Sequence, residues 1–95
     1  KVFRIPHMGW NNLSYVKNGN NPLKNIENNE VYFVHSYFAQ VKDKNIILSK
    51  TKYGEYEFCS AIQYRNVFGT QFHPEKSGKI GLDIYKNWAK INNLL

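Results

Sequence analysis

The chain has 95 residues, 42% of them hydrophobic and 16% aromatic, and a formal net charge of +6. That length bounds it to one small domain with a single modest core, and the composition is globular rather than disordered or collagen-like. One cysteine excludes an internal disulfide, and no segment resembles a secretory leader or a membrane span, so the expected compartment is a reducing cytoplasm.

The chain opens at Lys1 in what already reads as a strand over 1–5, which suggests a piece of a longer protein. Pro6 holds Ile5 extended and ends that strand, and 7–12 (His-Met-Gly-Trp-Asn-Asn) reads as a loop. Asn12-Leu13-Ser14 fits a glycosylation acceptor but carries no weight without a leader. Residues 18–22 are dense in turn formers, and 23–30 has room for a short turn or helical piece. The run 31–38 (Val-Tyr-Phe-Val-His-Ser-Tyr-Phe) is β-branched and aromatic, the pattern of a buried strand.

Tight turns at 43–45, 53–54 and 64–66 separate three further strands over 46–51, 56–62 and 67–72. Short links between consecutive strands predict an antiparallel meander. Ser77 is placed to cap a helix over 78–92, whose apolar residues Ile80, Ile84, Trp88, Ile91 and Leu95 form one stripe that packs it on the sheet. The expected fold is therefore α/β, mostly an antiparallel β-meander plus a C-terminal helix, with no internal repeat and no domain boundary within 1–95.

The segment 69–78 (Gly-Thr-Gln-Phe-His-Pro-Glu-Lys-Ser-Gly) carries the chemistry. It sets His73 and Glu75 two residues apart at the end of a strand. In an extended segment such residues share a side, so Glu75 can fix the His73 tautomer and stabilise its imidazolium. That is the base-and-orienter part of a nucleophilic triad. From spacing alone, a surface ion pair is the competing reading.

Cys59, the only thiol, sits mid-strand with neither a glycine elbow nor a helix N-terminus to lower its pKa, which marks a core cysteine rather than a nucleophile. His7, His35 and His73 lack short metal-ligand spacing, so no metal is expected, and His35 reads as a hydrogen-bonded strand histidine.

Three blocks together resemble class I glutamine amidotransferases: 6–11 (Pro-His-Met-Gly-Trp-Asn), 32–37 (Tyr-Phe-Val-His-Ser-Tyr) and 69–77 around Gln-Phe-His-Pro-Glu. Within that family they are most similar to the glutaminase subunits of imidazole glycerol phosphate synthase in histidine biosynthesis. The resemblance covers nearly the whole chain but only the C-terminal half of such a subunit. It implies a cysteine nucleophile that attacks glutamine, His73 as catalytic base and Glu75 as its orienter. It places Ser36 and Tyr37 in the wall of the glutamine pocket and Trp10 and Tyr32 at the interface with a cyclase (β/α)8-barrel that receives the ammonia. It implies no cofactor, no nucleic-acid partner and no membrane association.

The glycine-flanked cysteine and the glycine-rich oxyanion segment of that family lie upstream of the matching region. The 95 residues by themselves are therefore expected to be inactive, and poorly stable where strands of the other half would cover them. Three alternatives stay open. Paralogous subunits that amidate bacterial surface sugars share all three blocks. A basic, β-rich module could stack single-stranded RNA, although the lysines are scattered and 31–38 contains no Lys or Arg. A non-catalytic remnant could retain only the partner surface.

Overall fold

The computed structural model describes residues 2–17, 19–26 and 30–94, with the side chains of 2–6, 36, 38 and 39 outside the description. Its first strand, β1 (Val2–Asn12), does not stop at Pro6. It pairs antiparallel with β3 (Glu30–Ala39), from Val2 opposite Ala39 to Asn12 opposite Glu30. The register slips between Arg4 and His7, where β1 takes three steps against two in β3. Pro6 lies in that bulge, where the missing N–H costs no ladder bond, so the strand resumes at His7 instead of becoming the expected loop.

At Leu13, which is buried, the chain crosses into a second sheet. There β2 (Ser14–Tyr15), β4 (Ile47–Tyr53), β5 (Tyr56–Tyr64) and β6 (Val67–Thr70) lie in that order, all antiparallel. The last three are the meander that the turn residues predict. Arg65 (φ 57°) and Gly54 (φ 63°) take the left-handed conformations its two tight turns need. The strand expected over 67–72 ends at Thr70, because the chain bends at 71–72, with Gln71 still bonded to Ser60 of β5 and His73 already bonded to Tyr32 of β3.

Between the sheets and the helix lies one core, centred on Leu13, Val31, Phe33, Leu48, Phe58, Phe72 and Ile84. Phe33 is its hub, edge-on to both Phe58 and Phe72. Helix α1 (Gly78–Ile91) buries Ile84 completely and packs Ile80 against the same cluster. Of the rest of the predicted stripe, Trp88 and Ile91 are half-buried, and Leu95 lies outside the described residues. Asn87 donates to the carbonyls of Pro22 and Lys24 at 3.0 and 2.8 Å, tying α1 to the turn at 22–25. No helix among the described residues is long and apolar enough to cross a membrane.

Ser77 is not the side-chain cap that its position suggests. Its hydroxyl donates to the His73 carbonyl at 2.6 Å and accepts the Tyr32 N–H at 3.0 Å. It fastens the segment before α1 to β3. Nearby, Gly81 lets the two backbones touch: a Cβ there would lie 1.7 Å from the Pro74 carbonyl oxygen.

Candidate functional site

The site is built where the chain leaves β6 and meets β3. His73 is extended (φ −107°, ψ 97°), and Pro74–Lys76 then forms a single 3₁₀ turn. The His73 N–H donates to the Tyr32 carbonyl at 2.9 Å. Its peptide is thus held on β3 while the turn swings Glu75 back toward its ring. The His73–Glu75 contact expected from strand alternation forms by this turn, since Glu75 is not in an extended segment.

His73 Nδ1 lies 2.9 Å from Glu75 Oε2. Both side chains are substantially exposed, at 37% and 53%. Glu75 is held below the ordinary carboxylate range, first by its hydrogen bond with His73 and then by a backbone hydrogen bond. On the other side of the ring, Nε2 lies 3.3 Å from the Val34 carbonyl. With Nδ1–H given to the carboxylate, a neutral ring has its lone pair on Nε2, the atom a general base uses. A cleft of about 510 Å³ opens beside this pair, lined by Val34, Thr70, Gln71, His73, Glu75 and Tyr85 among others.

The remaining predicted residues divide into two groups. Trp10 and Tyr32 are cross-strand partners, with ring centroids 5.7 Å apart and planes at 71°. Trp10 is 51% exposed, on a strand rather than in the expected loop. Tyr32 connects this patch to His73, because its backbone bonds both Ser77 and His73. Tyr37 is exposed, and alternation along β3 sends its ring to the side of His35 and Phe33, opposite Tyr32 and Val34. Ser36 is in β3, and its side chain lies outside the described residues.

His7 and His35 do meet, at 3.1 Å, but among the described residues no group of three His, Cys, Asp or Glu gathers as a metal site would require. Cys59 is half-buried in β5, with Sγ against the Ala61 carbonyl at 3.4 Å. Burial pushes its thiol up, keeping it protonated and a poor nucleophile.

Sequence reasoning missed the Val34 carbonyl beside His73 and the tethering role of Ser77. A backbone carbonyl leaves no sequence signal. Gly81 left one, a lone glycine inside a helical pattern, which often marks close packing.

The family described as Glutamine amidotransferase class-I matches residues 2–90. The chain is 49% identical over 91 residues to the imidazole glycerol phosphate synthase subunit HisH of Carboxydothermus hydrogenoformans, covering 96% of this chain and 45% of that one. It is 52% identical over 92 residues to the HisH subunit of Methanocaldococcus jannaschii, covering 95% and 45%. With the HisH subunit of Geobacillus sp. it shares 44% over 89 residues, covering 94% and 41%. The chain thus spans less than half the length of these relatives.

Proposed function

We propose a function from one premise: the chain belongs to the class I glutamine amidotransferase family. In this reading, residues 1–95 are the C-terminal portion of a single amidotransferase domain. The full-length protein is the glutaminase subunit of imidazole glycerol phosphate synthase, acting in the cytoplasm in histidine biosynthesis. It hydrolyses glutamine and passes ammonia to a cyclase barrel. The observation that carries this is the 2.9 Å contact between His73 and Glu75 within the Gln-Phe-His-Pro-Glu motif. The similarity of nearly the whole chain to HisH subunits supports the pathway and the partner.

The chemistry is acyl transfer, which needs a nucleophile, a base and an oxyanion site but no cofactor. A cysteine elsewhere in the full-length protein gives its proton to His73 Nε2 and attacks the side-chain amide carbon. The imidazolium, stabilised by Glu75, returns the proton to the leaving nitrogen as the C–N bond breaks and ammonia departs. Water, activated by the same base, then hydrolyses the thioester to glutamate. Ser36 and Tyr37 contribute to the glutamine pocket, and Trp10 and Tyr32 seat the cyclase. Because Cys59 is half-buried and held protonated, residues 1–95 alone supply a base without its nucleophile and turn over no glutamine.

The test is His73→Ala in the full-length protein with its partner. Glutamine-dependent synthesis should fall by about 10⁴-fold or more, while synthesis from added ammonia persists. Loss of both activities would make His73 a structural residue and sink the assignment.

A further inference from the structure

A second histidine constellation lies outside the triad. His7 is buried on β1 between the rings of Phe33 and Tyr53, stacked at 4.6 and 4.0 Å. Its Nδ1 is 3.1 Å from His35 Nε2, and its Nε2 is 3.4 Å from the Asn11 amide nitrogen. His35 Nδ1 is 2.8 Å from the Tyr37 carbonyl. We propose that His7 and His35 are positioning residues: a neutral two-histidine relay, each ring protonated on Nδ1, that fixes the β3 backbone around 35–37 for the glutamine site. This rests on the glutaminase reading for what the held backbone does, but not for the relay itself.

Proton bookkeeping gives the same answer from both ends. The Asn11 orientation is set independently, since its amide nitrogen donates to the Lys52 carbonyl at 2.8 Å and its oxygen accepts the Asn12 N–H at 2.7 Å. An amide nitrogen only donates, so His7 Nε2 accepts and a neutral His7 carries its proton on Nδ1. From the other end, the Tyr37 carbonyl only accepts, so His35 Nδ1 carries a proton and, in a neutral ring, Nε2 receives the His7 bond. The donors all run one way, from Asn11 through both rings to Tyr37. A proton added to either ring puts a donor against a donor.

Burial lowers the pKa of both rings, and each is lowered further by a neighbouring histidine, His35 for His7 and His73 for His35; the Tyr37 bond acts the other way on His35. The consequence for the site follows from β3 itself. The bond from His35 to Tyr37 spans Ser36 and locks three consecutive residues. The preceding carbonyl, at Val34, is the one that meets His73 Nε2. The relay therefore holds β3 from its β1 side while the motif loop holds it at Tyr32.

Two measurements on the full-length protein test this. With ¹⁵N-labelled histidine, ring nitrogen shifts near neutral pH should show both His7 and His35 protonated on Nδ1 and bare on Nε2, whereas free neutral histidine prefers the reverse. An Nε2–H tautomer or a doubly protonated ring at either position would overturn the relay. In glutaminase assays, His35→Ala should lower kcat/KM for glutamine by about 10- to 100-fold. His35→Asn, whose δ-nitrogen can still donate to the Tyr37 carbonyl, should recover most of it. A folded His35→Asn protein as impaired as His35→Ala would overturn the positioning role. Absence of glutamine hydrolysis by the wild-type protein with its partner subunit would overturn the glutaminase reading and the role built on it, while the tautomer measurement still decides the relay.

Discussion

His73 faces an acceptor on each ring nitrogen, Glu75 Oε2 at 2.9 Å and the Val34 carbonyl at 3.3 Å. Only the doubly protonated ring donates to both, so in the proposed mechanism the imidazolium gains a second partner when it forms. Glu75→Gln removes the charge and can present an N–H to Nδ1, favouring the wrong tautomer. Glutaminase activity should fall by about 10²- to 10⁴-fold, less than for His73→Ala, as measured by glutamate release. The carboxylate's pKa is lowered in the fold, so its stabilising contribution is present above the ordinary value of 4.5 and is lost as pH falls through the lowered pKa. Melting curves of the wild-type and Glu75→Gln proteins should converge only in that acid range. The His7 and His35 rings titrate elsewhere. Their folded pKa values lie below 6.5, so the unfolded chain binds more protons and stability is fully present above 6.5, declining as pH drops beneath it. A melting series from about pH 8 to about pH 5 should show that decline, with a flatter slope in His7→Gln.

Among elements, the helix and the motif loop are coupled by the absence of a side chain. Gly81→Ala would place a methyl group 1.7 Å from the Pro74 carbonyl oxygen, and neither partner is a flexible side chain. The two backbones must separate, at a cost of about 1–3 kcal/mol in chemical denaturation. Because Pro74 joins His73 to Glu75, activity should fall as well. The three meander strands and α1 were legible because their turn residues and apolar periods agree with the tertiary fold. The continuation of β1 was not legible. Pro6 is a stop signal by local rules, and only pairing with β3, far along the chain, turns it into a bulge. Likewise Ser77 has a helix cap's identity and position, yet the Tyr32 peptide competes for its hydroxyl and wins. At the site, the His73–Glu75 spacing was readable. The Asn11–His7–His35–Tyr37 chain was not, since it depends on the register of two strands 28 residues apart.

For the molecule as a whole, the exposed apolar surface is the dominant fact. Met8 (75% exposed), Val67 (60%) and Leu94 (63%) face outward along with Trp10 and several tyrosines. The described residues form two small sheets, each with open edges, and an unpaired edge is a template for pairing with another chain. The isolated 95 residues should aggregate or melt broadly in calorimetry, and a sharp cooperative melt of a monomer would refute that. The attachment of His73 to β3 also has a meaning in time. The meander closes through short local hairpins, whereas the bonds from the His73–Ser77 segment to Tyr32 join residues about forty positions apart, a kind of contact that forms slowly. During refolding, hairpin structure should therefore return first, and His73 should be the last side chain of the site to find its place.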